Sequence, residues 1–153
     1  MKPIKTLVLL AAMMGGLVSG EALAACSSGS GSNQVGDLVT LLTGRTVCVP
    51  NSSGWEWQEF HQTGSGGDLI DWKLGTSAVD PTETLGTWSV GGTGSNHRVT
   101  HTYLPAGGSF PFTVFKNGSG SSATYSFCGG TPPEIVATIK QGQGSCSTLP
   151  LIP

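Results

Sequence analysis

The stretch from Leu85 to Cys128 constrains the fold most strongly, because it is a succession of short alternating segments separated by glycine-rich breaks. Each segment has the length of one antiparallel strand, and each break is short enough for a hairpin. The simplest interpretation is a meander of four consecutive strands, which read LGTWSV, HRVTHTYL, SFPFTVFK and SATYSFC.

The composition favours a turn-rich β protein. The chain has 24 glycines among 153 residues, more than helix interiors tolerate. Its length fits a single domain with one core. The net charge is −2, which disfavours a nucleic-acid binder, since such proteins need clustered Lys and Arg. Beyond the N-terminal segment the basic residues are scattered singly: Arg45, Lys73, Arg98, Lys116 and Lys140.

Residues 1–24 have the pattern of a bacterial secretory signal peptide. Lys2 and Lys5 precede an uncharged run, and small residues at Ala22 and Ala24 suit cleavage after Ala24. The apolar run is too short to span a bilayer. We therefore expect an exported protein, periplasmic or extracellular, with no membrane span.

A second interpretation of the same region is a lipid anchor at Cys26. Leu23-Ala24-Ala25-Cys26 resembles the lipobox of bacterial lipoproteins, which implies a diacylglyceryl group on Cys26 and a flexible linker over residues 25–34. Glu21 interrupts the apolar approach to the box, and lipidation would leave an odd thiol among four cysteines. Ordinary cleavage is the favoured alternative.

The four cysteines predict two disulfides. Cys48 and Cys128 lie in strand-like segments, whereas Cys26 and Cys146 lie in Ser/Gly-rich flanks. We expect Cys48 to pair with Cys128, and Cys26 with Cys146, because neighbouring strands hold Cβ atoms close. The alternative is local pairing, Cys26 with Cys48 and Cys128 with Cys146.

One helix and eight strands are predicted. The helix spans Asn33 to Leu42, with Asn33 as its cap and Gly44 as a left-handed terminator. In the third strand, Ile70, Trp72 and Leu74 form the expected apolar face. The predicted strands are Arg45–Val49, Trp55–His61, Asp68–Leu74, Leu85–Val90, His97–Leu104, Ser109–Lys116, Ser122–Cys128 and Glu134–Lys140.

Consecutive hairpins predict an all-β, eight-stranded antiparallel meander that closes into a small barrel, since closure removes exposed strand edges. A β-sandwich is the alternative. The single barrel domain is expected over residues 35–141, followed by an irregular tail over residues 142–153.

The helix, the eight strands and Gly86-Thr87-Trp88 resemble the lipocalin or calycin architecture. They also resemble small secreted bacterial proteins that place Gly-x-Trp on one strand and an aromatic residue followed by Cys on a later one. In lipocalins the Gly-x-Trp lies on the first barrel strand, whereas here it lies mid-chain. The resemblance therefore implies an architecture and no particular ligand.

The segment from Trp55 to His61 is the best candidate for a binding site. Period two places Trp55, Trp57, Glu59 and His61 on one face of a strand. The tryptophans can stack on a flat ligand while Glu59 and His61 supply polar contacts. The alternative is that the tryptophans only fill the interior. The expected aromatic lining consists of Trp55, Trp57, Trp72 and Trp88.

A metal site is not expected. His97 and His101 lie four residues apart, about 13 Å along a strand, too far to share one ion. A site would need His61 and a carboxylate brought in by the fold. We interpret the strand histidines as exposed.

No catalytic residues or cofactor are predicted either. The carboxylate pairs Glu56 with Glu59 and Asp68 with Asp71 have odd spacing, which sends each pair to opposite faces. The leading hypothesis is a non-enzymatic envelope protein that binds a small ligand or a protein partner. The alternatives are a structural or assembly subunit of the envelope and an unrecognised small hydrolase.

Overall fold

The computed structural model describes Cys26 and residues 33–72, 82–129 and 134–153. The predicted signal peptide, and all of the predicted linker except Cys26 and residues 33–34, lie outside the described residues. Among those described, no helix has the length and apolar character needed to cross a membrane.

The chain forms a closed antiparallel barrel of eight strands, each hydrogen-bonded to the next, with β8 returning to β1. This confirms the predicted barrel and excludes the sandwich. Its strand number and up-and-down order are compatible with a lipocalin-like fold. The elements are α1 (Leu38–Leu42), β1 (Arg45–Asn51), β2 (Gly54–His61), β3 (Gly66–Asp71), β4 (Glu83–Gly91), β5 (Arg98–Tyr103), β6 (Gly108–Asn117), β7 (Thr124–Cys128) and β8 (Glu134–Gln141).

Helix α1 is shorter than the predicted Asn33–Leu42. Asp37 caps it, since its side chain accepts a hydrogen bond from the Thr40 backbone N–H at 2.9 Å. Val35 instead precedes the helix, next to an isolated bridge of Gln34 with Phe115, and its N–H donates to the Val114 carbonyl at 2.9 Å. The predicted cap at Asn33 is therefore wrong. Gly44 does take the left-handed conformation after the helix, with φ of 67°.

A bulge between β1 and β2 changes which side chains face inward. Val49 pairs with Trp57, but Pro50 pairs with Trp55, so Glu56 is an extra residue on β2. An extra residue breaks the period of two and turns the preceding side chain to the other face. Trp55 therefore does not share the inner face of Trp57, contrary to the prediction.

The inner face of β3 also differs from the prediction. Leu69 is fully buried, whereas Ile70 and Trp72 are only half-buried. Leu69 pairs with His61 and Gly67 pairs with Trp88. Because Leu69 lies opposite the inward-facing His61, alternation turns Ile70 to the outer face of β3. Leu74 lies outside the described residues.

The disulfides join Cys26 to Cys128 and Cys48 to Cys146, with Cα–Cα distances of 5.4 and 5.9 Å. Both pairings anticipated from the sequence are wrong. Strand β8 lies between β1 and β7, and the two cysteines pair with β8 residues that are four apart, Cys48 with Thr138 and Cys128 with Glu134. The two strand spacings alone separate Cys48 from Cys128 by at least about 9 to 10 Å, beyond the reach of a disulfide.

The C-terminal tail is held against the barrel. The Gln141 N–H donates to the Pro150 carbonyl at 2.9 Å, and the Ile152 N–H donates to the Ile139 carbonyl at 3.3 Å. The Cys146 N–H donates to Gln58 Oε1 at 2.8 Å. These bonds explain why Gln58, on the outward face of β2, is nevertheless buried.

Candidate ligand-binding site at the barrel mouth

A cavity of about 270 Å³ opens at one end of the barrel. Strands β2, β5, β6 and β8 supply its walls, because their inward-facing side chains alternate with outward-facing ones. The lining residues are Trp57, Glu59, Tyr103, Gly107, Phe110, Phe112 and Ile135. We call this cavity the mouth cavity.

The walls of the mouth cavity are aromatic. The rings of Tyr103 and Phe110 pack edge to face with centroids 5.8 Å apart. Phe112 packs in the same way on Phe127, deeper in the barrel, at 5.9 Å. Trp57, Tyr103 and Phe110 remain half-buried, so part of each ring is available to a ligand.

Glu59 places a carboxyl group at the inner end of the mouth cavity. Its side chain is buried, and the Tyr103 hydroxyl donates to Oε1 at 3.0 Å and lies 3.1 Å from Oε2. Asp71 is the direct cross-strand partner of Glu59, so both carboxyl groups leave the sheet on its inner face.

Burial raises the pKa of Glu59 to about 7. The Tyr103 hydrogen bond acts in the opposite direction, and the negative charge of Asp71 adds to the rise. Glu59 thus changes its charge near neutral pH. Burial, together with the nearby Glu59 carboxylate, raises the pKa of Tyr103, so its hydroxyl stays protonated and serves as a donor.

Two buried histidines continue this polar network into the barrel. His101 Nδ1 lies 3.6 Å from Glu59 Oε2 and 3.4 Å from the Tyr103 hydroxyl. On the other side of the ring, His101 Nε2 meets His61 Nε2 at 3.0 Å. Burial lowers the pKa of His101 to about 4. Burial and the neighbouring His101 also lower the pKa of His61, so both rings are neutral near pH 7.

When Glu59 is ionised, the hydrogen bonds of this network have a preferred donor-to-acceptor direction. A carboxylate only accepts hydrogen bonds, which favours the His101 tautomer with its proton on Nδ1, facing Glu59. His101 Nε2 is then an acceptor, and His61 donates to it through Nε2–H. The tautomers of both rings are thereby tied to the charge at the mouth cavity.

These groups do not form a metal site. Glu59 lies on the Nδ1 side of His101 and His61 lies on the Nε2 side, so the three share no common point for an ion. Across the part of the chain that the structure describes, no group of three or more His, Cys, Asp or Glu side chains is suited to a metal.

The structure divides the predicted site residues. Trp57 and Glu59 line the mouth cavity. His61 and Trp88 are buried behind it, with ring centroids 5.1 Å apart. Trp55 lies on the outside, where its indole N–H donates to Ser147 Oγ at 3.0 Å and the Lys140 ammonium lies 5.7 Å from its ring centroid.

Trp72 does not line the mouth cavity. It follows β3, where its backbone N–H donates to the Gln58 carbonyl at 2.8 Å. The sequence reasoning also missed Tyr103, Phe110, Phe112 and Ile135 as lining residues. Alternation shows that Tyr103 shares a face of β5 with Val99, and that Phe110 shares a face of β6 with Phe112. Only the order of strands around the barrel shows that these faces lie near Glu59.

The expectation that His101 is exposed is wrong. It lies between Val99 and Tyr103 on the inner face of β5 and is fully buried. Alternation along β5 puts His101 on the same face as Val99 and Tyr103, and the sequence contains that pattern.

Comparisons with protein-family models, with curated proteins and with solved structures found no match for this chain.

Proposed function

We propose that this protein is a non-enzymatic binding protein that takes a small organic molecule with an apolar body into the mouth cavity, in the manner of a lipocalin-like barrel. The observation that carries the proposal is the cavity of about 270 Å³ with three partly exposed aromatic rings and one carboxyl group at its inner end. Ligand pockets commonly combine apolar walls with a few polar groups that fix orientation.

The closed barrel supports ligand binding over an assembly role. Assembly by strand addition uses unpaired strand edges. In this barrel β1 pairs with β8 over Arg45 to Cys48, and every strand has two neighbours. The mouth cavity, by contrast, leaves apolar rings open to solvent without any strand edge.

We further propose that the protein is exported and carries no lipid at Cys26. Two disulfides are typical of an oxidising compartment. The Cys26 sulfur bonds to Cys128, and one sulfur cannot carry both this bond and a thioether to a diacylglyceryl group. Intact mass before and after reduction tests this. The expected result is four oxidised cysteines and no acyl mass, and an acyl adduct would contradict it.

Binding can be tested with N-phenyl-1-naphthylamine, an uncharged probe whose fluorescence rises in apolar sites. We expect saturable binding to the full mature protein. Trp57→Ala should weaken binding about tenfold, because it removes one aromatic wall. Trp55→Ala is the matched control, since it removes a tryptophan from the outside of the same strand, and it should leave the affinity unchanged.

Two results would contradict the proposal. One is the absence of saturable probe binding by a protein whose circular dichroism shows the β fold. The other is an equal loss of affinity in Trp55→Ala and Trp57→Ala. Concentration-dependent sedimentation of the ligand-free protein to large assemblies would favour the structural role instead.

A further inference from the structure

We propose that the mouth cavity selects organic cations, and that an alkylammonium group is the part of the ligand that meets Glu59. This inference rests on the proposed function and names the chemical class of its ligand. It is carried by the charge at the inner end of the cavity, by the rings around it, and by the position of the cationic side chains elsewhere.

The inner end of the mouth cavity is acidic. Glu59 lines it, and Asp71 lies opposite Glu59 on the adjacent strand with its side chain on the same face. The carboxyl group of Glu59 accepts from the Tyr103 hydroxyl, which satisfies a hydrogen bond without neutralising a charge. An anionic ligand would be repelled at this position.

No protein cation neutralises Glu59 within the described part of the chain. The side chain within ion-pair distance is His101, which burial keeps neutral near pH 7. Arg45 instead donates to the Leu41 carbonyl at 3.1 Å and to Gln141 at 3.3 Å. Lys140 lies over the outer Trp55 ring. A buried carboxylate without a countercharge favours a ligand that supplies one.

The aromatic rings suit the same ligand class. Trp57, Tyr103 and Phe110 are half-buried around the approach to Glu59. The negative faces of such rings attract a cation within about 6 Å of the centroid, and desolvation strengthens the attraction. Aromatic walls with one carboxylate are the chemistry that recognises methylated or alkylated ammonium groups.

Charge selection predicts a dependence on pH. A cation binds the ionised form of Glu59 and therefore competes with a proton. The ionisable groups facing this carboxyl are Asp71, Tyr103 and His101, with His61 behind His101. Since the pKa of Glu59 is about 7, the affinity for a permanent cation should fall about tenfold from pH 8 to pH 6.

The test compares benzyltrimethylammonium with neopentylbenzene, in which carbon replaces the charged nitrogen. Both are measured at pH 6, 7 and 8 by displacement of N-phenyl-1-naphthylamine from the full mature protein. We expect the cation to bind at least tenfold more tightly than its neutral analogue at pH 8. We also expect the cation alone to lose affinity at pH 6.

Glu59→Gln keeps the shape of the side chain and removes its charge. It should lower the affinity for the cation about tenfold at pH 8, abolish the pH dependence, and leave the neutral analogue unaffected. Glu56→Gln, on the outside of the same strand, is the control for the general electrostatic field and should change neither ligand.

The outcomes separate the inference from the proposed function. Equal or tighter binding of neopentylbenzene, or cation binding that survives Glu59→Gln, would overturn the cation assignment while leaving a ligand-binding barrel. Failure of the cation, the analogue and the naphthylamine to bind would overturn both. Retained binding of the neutral analogue by Glu59→Gln shows that this variant is folded.

Discussion

His61 and His101 meet Nε2 to Nε2 at 3.0 Å inside the barrel, although 40 residues separate them in the chain. Only one of the two facing nitrogens can supply the hydrogen, so the contact requires one ring to be an acceptor. Protonation of both rings would place two donors, and two charges, against each other in the core.

Acidification should therefore destabilise the fold. Burial lowers the pKa of both histidines, His101 to about 4, so between pH 6.5 and 4 the unfolded chain binds protons that the folded chain does not. The free energy of unfolding therefore decreases as the pH is lowered through that window. Glu59 acts oppositely between pH 4.5 and 7, but two imidazoles outweigh one carboxyl.

Denaturant unfolding at pH 7, 6, 5 and 4 measures this loss. The slope of the unfolding free energy against pH measures the number of protons taken up on unfolding. His101→Gln removes one member of the pair and should lower that number by up to about one. His97→Gln changes the half-buried histidine that precedes β5 and should leave the slope intact. A wild-type stability that is flat or rises towards pH 4 would contradict the prediction.

Glu59→Gln should raise stability more at pH 8 than at pH 5. The raised pKa means that ionised Glu59 opposes folding above about pH 7, whereas at pH 5 the folded protein holds this carboxyl protonated. An amide retains an oxygen that can accept from the Tyr103 hydroxyl. Thermal unfolding at both pH values tests it, and an equal change in melting temperature at both would refute it. Glu56→Gln, on the exposed surface, serves as the control.

Tyr103→Phe should raise the pKa of Glu59 beyond about 7. The hydroxyl donates to this carboxyl at 3.0 Å and thereby favours its ionised form. Carbon NMR of the Glu59 carboxyl through a pH titration measures the shift. Tyr125→Phe, in a buried tyrosine on β7, should leave that titration in place. A lower pKa in Tyr103→Phe would show that the hydrogen bond does not favour the carboxylate.

Gly86→Ala should disrupt the junction of β4 and β5. An added Cβ at Gly86 would overlap the carbonyl group of Thr102. The atoms that it would meet belong to the backbone of β5, which cannot move aside without disturbing the strand pairing. A loss of about 2 kcal/mol or more is expected from overpacking of this kind. Gly91→Ala, on the same strand with open space around it, should change stability by less than about 1 kcal/mol. Similar values for the two variants in urea unfolding would contradict the clash.

Removing the Cys48–Cys146 bond by double replacement with alanine should free the tail as well as lower stability. Its two cysteines are 98 residues apart, and a loop of this length corresponds to about 4 to 5 kcal/mol in the chain-entropy model. Hydrogen exchange should show lost protection at Gln141 and Ile152. The Cys26–Cys128 pair spans 102 residues, so its removal should cost a similar amount but leave tail protection intact.

The strands were predictable because their signal is local. Alternation and glycine breaks place eight strands within a few residues of their observed ends, and alternation after the bulge correctly puts Trp57, Glu59 and His61 on one face. Trp55 was misplaced because a bulge beside Pro50 leaves no trace in simple periodicity. The face of β3 was misjudged because it is set by the pairing of Leu69 with the inward-facing His61, which is a relation between strands.

The site and the disulfides depend on the order of strands around the barrel, which periodicity does not contain. Glu59 meets Tyr103 across 44 residues, and no spacing within either strand indicates it. Likewise, Cys48 and Cys128 both lie in strands, but β8 separates β1 from β7. Predicting a barrel without knowing which strands are neighbours was not enough to pair the cysteines.

Strand β8 closes the barrel by pairing with β1, so both the closed barrel and the mouth cavity depend on it. Until Glu134–Gln141 is available, β1 and β7 each keep an open edge and the mouth cavity lacks the wall that holds Ile135. A chain without this strand would thus present open, aggregation-prone strand edges in place of the closed barrel. Closure of the barrel therefore depends on the pairing of β8 with both β7 and β1.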